Sequence, residues 1–250
     1  MTSSSAVVFA LLADGRFPSG GHAHSGGYEA ASRSFPLADS PGLVSFLEGR
    51  LATVGRTEAC LVAGVLRRLG SLDSVDGSSG SDAAGHHDGN ADRGEIDWVD
   101  IDAEIEARIV SPALRSVSRS LGRQWVRAGR RIWPSHTLDA LVAVCADGPH
   151  QVAAYAVVAA TAGLSVDDAV TVHLHHLIAG SATAAVRLHG LDPYEVQRCQ
   201  VALAPAVAAL TAEAVAGADR PLWELPATTG PVSDLLAEEH ARWDMRLFQS

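Results

Sequence analysis

Lysine is absent from the chain, whose 19 basic residues are all arginine. A barrel amidohydrolase centre, in which an HxH pair holds a divalent metal beside a bridging lysine, is therefore missing a part, and the chain is also short for such a barrel. Cysteine is scarce. Cys60, Cys145 and Cys199 lie far apart with no CxxC pair, which excludes a disulfide framework and a zinc knuckle and suits a reducing compartment, the cytoplasm. All three have mostly apolar neighbours and read as small core residues. Long apolar runs are missing. The opening MTSSSAVVFALLADG has no basic stretch ahead of its apolar residues and meets Asp14 before any cleavage-like site, so it does not read as a secretory signal. Val152 to Leu164 is too short to span a bilayer, and Val201 to Ala218 is mostly alanine, broken by Pro205 and Glu213, so no membrane span is expected. A basic surplus is missing too. The net charge is −10, and eleven of the 29 acidic residues fall between Asp73 and Glu106 against a single arginine, Arg93, which leaves the rest of the chain balanced. Phosphate binding needs a basic surface, so nucleic acid is not an expected partner.

Strand signals are missing as well: there is no sustained period-two alternation of β-branched residues and no Asn-Gly hairpin. Helical spacing is present instead. Leu43 to Leu69 keeps returning its apolar residues to one side of a 3.6-residue turn, with an interruption expected near Gly55. Further helices are expected from Glu95 to Val110, from Pro112 under a Ser111 cap to about Trp133, and over Thr137 to Cys145, Gln151 to Ala162 and Val166 to Leu188. One more runs from Pro193, capped by Asp192, through the alanine-rich stretch to Val215, and a last one covers Ser233 to Phe248. Gly163, Gly190 and Gly217 sit where helices should end. The fold expected is all-α: a single-domain helical bundle built from residues 1–69 and 95–250. Residues 70–94, mostly Gly, Ser and Asp with hardly any bulky side chain, cannot repay their ordering entropy by burial and read as a flexible, disordered acidic insertion.

Three groups of residues carry possible chemistry. RFPSGGHAHSGGYEA, residues 16–30, holds His22 and His24 among glycines. It is not a nucleophile elbow, because Ala23 stands two residues before Ser25 where glycine is required, and no P-loop occurs anywhere. The plain reading is a glycine-rich turn entering a helix, with Ser25 or Gly26 as cap and Glu29 in the first turn. In VTVHLHHLIAG, His173 and His176 share a helix face, so a metal there needs a third ligand from elsewhere. A metal-dependent hydrolase using His22 and His24, with His173 and His176 as weak further ligands, is the alternative enzymatic reading. Arg115, Arg119, Arg123 and Arg127 recur every four residues, with Arg130 and Arg131 one turn on. No acids match them on the same helix, so the acidic insertion, another helix or a partner must meet the charge. A solvated stripe and a docking face both remain open. The tail closes in Arg246, Leu247 and Phe248, and an exposed Leu-Phe pair gains about 1.5 to 3 kcal/mol per side chain only when covered.

LLADGRFPSGGHAHSGGYEAA resembles the N-terminal signature of the UreF family of urease accessory proteins, with Pro18, Gly20, His22, Ser25, Gly27 and Glu29 in the places that define it. Three further blocks agree in order: SVSRSLGRQW, Pro149 to Leu188 including AVRL with Arg187, and Leu235 to Ser250. Tyr28 stands where leucine is usual, and HGLDPYEVQ replaces a common Gly-Gln pair. The resemblance implies an all-α, usually dimeric chaperone without enzymatic activity. Such a protein binds a second accessory subunit, UreD or UreH, and with it recruits the nickel-carrying GTPase UreG to apo-urease. Nickel is then handled by the complex, and no cofactor is bound stably by the chain itself. The signature residues, Arg187, the arginine stripe and Arg246 to Phe248 are the residues expected to meet partners.

Overall fold

A computed structural model describes residues 3–76 and 96–249. They form twelve α-helices: α1 (Ser3–Ala13), α2 (Tyr28–Ser34), α3 (Ser40–Arg50), α4 (Arg56–Asp76), α5 (Trp98–Ala107), α6 (Pro112–Ile132), α7 (His136–Val144), α8 (Gln151–Thr161), α9 (Val166–His189), α10 (Pro193–Ala202), α11 (Ala204–Ala216) and α12 (Pro231–His240). No strand occurs among the described residues, so the all-α expectation holds. Of the expected insertion, residues 77–94 lie outside the described residues, whereas residues 70–76 continue α4 as helix.

α8 lies at the centre. Its sequence, QVAAYAVVAAT, is apolar on every side, and Val152 through Ala159 are all buried, as a helix enclosed by others must be. α4 and α6 flank it, with α5, α7 and α9 also in contact. Small residues let α6 approach closely. A Cβ on Gly122 would lie 1.9 Å from the Pro149 carbonyl oxygen, and one on Gly129 would lie 2.7 Å from the Val158 side chain, so any larger residue would force the pair apart. α9 runs beside this unit, contacting α1, α2, α3, α4, α10 and α11. One continuous core extends from Leu12 to Phe248. Trp125 anchors it, T-packed on Tyr155 at 5.0 Å and stacked on Phe17 at 5.1 Å, and each such ring contributes about 1.5 to 3 kcal/mol by burial.

The helix starts follow local chemistry. Ser111 accepts from the Leu114 amide, Ser165 from Asp168 and Asp192 from Tyr194, each satisfying a donor that the first helical turn leaves free. Gly190 ends α9 in the left-handed region. The interruption expected near Gly55 is present, as a π-helical turn over Leu51–Gly55 joining α3 to α4. Two expectations need correction. The helix expected from Pro193 to Val215 is two helices bent by 41°; Pro205 has no N–H to continue the first helix and sits instead at the start of the second. The helix expected from Ser233 to Phe248 ends at His240, and the residues beyond it turn back onto the N-terminal segment. Among the described residues no single helix is long and apolar enough to cross a membrane.

Candidate docking site

The glycine-rich stretch binds the chain's own C-terminal tail. Gly20 is left-handed, with φ of 81°, and leads into a 3₁₀ turn over Gly21–Ala23. His24 is then extended and pairs in parallel with Gln249: Gln249 N donates to Ala23 O at 2.8 Å and Ser25 N donates to Gln249 O at 3.1 Å. Gly26 and Gly27 are both left-handed, at φ 59° and 86°, a succession that costs other residues roughly 1 to 2 kcal/mol each. This double turn sets α2 so that the carboxylate of Glu29 points inward, 4% exposed. The cap expected at Ser25 or Gly26 falls on Gly27 instead. Ser25 Oγ accepts from the Glu29 amide at 3.3 Å, and Ser181 Oγ donates to Ser25 O at 2.8 Å.

Glu29 is the receptor. Its Oε1 accepts from the Leu247 amide at 3.0 Å, and its Oε2 accepts from the Phe248 amide at 2.9 Å and lies 3.2 Å from His240 Nε2. A buried carboxylate needs such partners, and charge-assisted bonds to amides are among the stronger ones. His240 is fully buried; that burial pushes its pKa down, against the pull of Glu29, and Arg246 and Arg33 push it further the same way. Arg187 lies over the Phe248 ring at 4.5 Å and Arg33 over Trp243 at 3.6 Å, so cation–π contacts hold both aromatic rings of the segment. Glu238 ties α12 down, accepting from Ser111 Oγ at 2.5 Å and from the Ala113 amide at 2.9 Å at the start of α6.

The expected solvent-facing Leu-Phe pair is therefore split. Phe248 is 3% exposed and packs in the core, while Leu247 is 68% exposed. Met245, Leu235 and Val232 are exposed as well, at 84%, 72% and 55%. The docked tail and α12 thus display apolar side chains in a segment that also carries exposed Arg242 and Arg246. Of the remaining signature residues, Pro18 and His22 are exposed. The histidines among glycines and the resemblance both single out this stretch, but neither shows its contacts with the tail through Ala23, His24 and Ser25.

The arginine stripe divides. Arg119 is held by the acids of α5, donating to Asp102 at 2.9 Å, to Glu106 and to the Gly148 carbonyl at 2.7 Å, and only 16% of its side chain is exposed. Arg115 donates to the Ile109 carbonyl at 2.6 Å and sits 3.5 Å from Glu106. Arg123 donates to the Asp147 carbonyl, Arg130 pairs with Asp139, and Arg127 is exposed. Another helix therefore meets much of the charge, chiefly α5. His150, fully buried, joins the same network through Glu106 at 3.2 Å and Ser118 Oγ at 3.0 Å; burial and the neighbouring Arg119 cation lower its pKa.

His22, His24, His173 and His176 all line one cavity of about 310 Å³, but they do not converge as ligands. His173 Nε2 lies 2.9 Å from Glu58, and His176 Nε2 donates to the Leu12 carbonyl at 2.6 Å. Burial brings His24 and His176 down to about 4, so both are neutral at pH 7. Among the described residues the one set with ligand atoms close enough to share a metal is Asp102, Glu106 and His150, where the Arg119 guanidinium already bridges both carboxylates. Sequence spacing does not single out this set: Asp102 and Glu106 stand one turn apart on α5, but His150 joins them only in the folded chain, from the entry to α8.

The model of the UreF family matches residues 37–204. The urease accessory protein UreF of Mycolicibacterium vanbaalenii is 36% identical over 247 residues, covering 99% of this chain and 100% of its own. UreF of Mycobacterium marinum is 35% identical over 98% of each chain, and UreF of Mycobacterium tuberculosis H37Rv is 32% identical over 99% of this chain and 100% of its own. The family match begins after the signature and ends before the tail, whereas the relatives match nearly the whole chain. The chain belongs to the UreF family of urease accessory proteins.

Proposed function

We infer that this chain is a non-enzymatic scaffold of urease maturation that works in the cytoplasm as a homodimer. With a UreD or UreH subunit it recruits the nickel-carrying GTPase UreG to apo-urease, and nickel passes as cargo of the complex. The observation that supports this best is the display of Leu247, Met245 and Leu235 beside arginines on a tail fixed by Glu29. Covering those side chains gains about 1.5 to 3 kcal/mol apiece, and a fixed tail avoids the ordering cost of docking a loose one. Pro18 and His22, together with Arg123 and Arg127, are further exposed residues available to partners. The histidine cavity does not favour a hydrolase, because His173 and His176 are engaged by Glu58 and the Leu12 carbonyl, and among the described residues His22 and His24 join no set of ligand atoms close enough to share a metal.

The test is co-expression with the urease operon proteins and a paired substitution, Met245→Asp with Leu247→Asp, which leaves the Glu29 bonds to the backbone amides intact. Loss of the UreD-type subunit from the purified complex, together with loss of urease activation, is expected. Undiminished recovery of both would overturn the reading. Removing Leu247 onward is a poorer test, since it also strips Phe248 from the core.

A further inference from the structure

Arg50 ends α3, where the helix widens into the π turn, and its guanidinium reaches under the glycine-rich stretch. Nη1 donates to the Gly26 carbonyl. A Cβ on Gly26 would lie 3.0 Å from Nη2, so the guanidinium rests directly against that backbone. Among the described residues no carboxylate stands within ion-pair distance of Arg50, and its Nε is buried without a hydrogen-bond partner. Glu58, the acid whose charge favours the Arg50 cation, is committed to His173. An arginine does not escape by losing its proton, and a part-buried cation with no counter-charge within reach is left incompletely satisfied.

The unpartnered edge has a definite shape. With Nη1 engaged, Nε and Nη2 remain as two parallel donors along one edge of the guanidinium, in its plane, the geometry that grips a planar oxyanion through two bonds. That edge belongs to the same cavity of about 310 Å³, which is also lined by His24, Thr53, Ser181 and Ser233. The Nδ1 of His24 is likewise buried without a partner. Glu58 and Asp234 line the cavity too, so a dianion would meet more repulsion than one guanidinium offsets. We propose that this cavity binds a small planar monoanion of the carboxylate or bicarbonate type, gripped by Nε and Nη2 of Arg50 and assisted by His24 Nδ1.

The test uses the purified full chain titrated at constant ionic strength with formate, acetate and bicarbonate, and with sulfate and phosphate as tetrahedral contrasts. Saturable one-to-one binding of a planar anion is expected, together with a shift of the Arg50 Nε–H proton resonance that follows the same curve. In Arg50→Gln, which removes the part-buried charge and the fork, affinity should fall at least about tenfold, equivalent to about 1.4 kcal/mol. Arg50→Lys keeps the charge without the fork and should fall between the two. The resonance shift in the unsubstituted chain stands whether or not the variants fold. Three results would overturn the proposal: no saturable binding of any planar anion, binding undiminished in Arg50→Gln, or tighter binding of sulfate or phosphate.

Discussion

Replacing Glu29 with glutamine removes one charge and exchanges an acceptor oxygen for a donor amide at the point where the tail is held. The native carboxylate accepts from the Leu247 and Phe248 amides at 3.0 and 2.9 Å and contacts His240 at 3.2 Å. Hydrogen bonds to a charged group contribute about 1.5 to 3 kcal/mol against about 1 for neutral ones. Glutamine can keep one amide bond through its carbonyl oxygen, while its NH₂ faces the second amide donor-to-donor. Tail docking should therefore weaken by about 2 to 4 kcal/mol, with Phe248 burial still favouring the docked state by about 1.5 to 3 kcal/mol. The assay is amide hydrogen exchange resolved at Leu247 and Phe248, with α8 amides as the internal reference. At 1.36 kcal/mol per decade the two tail amides should exchange roughly 30-fold to 1,000-fold faster in Glu29→Gln, while α8 amides barely change. Unchanged exchange at Phe248, or an equal acceleration in α8, would refute the idea that Glu29 acts as a local latch.

Acid should weaken the fold before the carboxylates titrate. Burial brings His24 and His176 down to about 4 from an ordinary 6.5, so below pH 6.5 the unfolded chain takes up protons that the folded chain refuses. Stability is then lost as pH falls from 6.5 toward 4, by on the order of 2 kcal/mol per histidine at pH 5. Urea midpoints at pH 7.5, 6.5 and 5 should show a small loss in the first step, about 0.4 kcal/mol per histidine, and a much larger one in the second, and a flat profile to pH 5 would contradict the burial of these rings. Arg119→Ala strands Asp102 and Glu106 and should cost about 2 to 4 kcal/mol in urea denaturation, allowing for partial exposure, against less than about 0.5 for Arg127→Ala. Equal effects would mean that the α5–α6 network does not hold the helices together.

Helix identities were legible wherever apolar spacing and caps agreed. Ser111 before Pro112, Ser165 before α9 and Asp192 before Pro193 each bond as their residue types favour. The enclosed helix α8 was visible as an unbroken apolar run. What escaped the reading depends on contacts distant in sequence. Nothing local in LLAEEHARWDMRLFQS stops a helix at His240; the tail leaves helical geometry because Glu29, 211 residues earlier, offers its amides a better acceptor. The arginine stripe looked unmatched because its acids stand on α5, a helix earlier in the chain. α1 opens on three serines and continues in an apolar run with no distinct face, so spacing does not mark it, and its place is fixed by packing on α9. Arg50 gave no signal at all, since only the folded chain reveals that its fork lacks a counter-charge.

Hydrogen exchange of the chain alone against the chain co-purified with its urease accessory partners tests most directly whether function resides in covered surface. Slower exchange in the complex, concentrated in α12 and residues 242–249, is the result expected. Complexed and free chains exchanging alike over that segment would contradict the account.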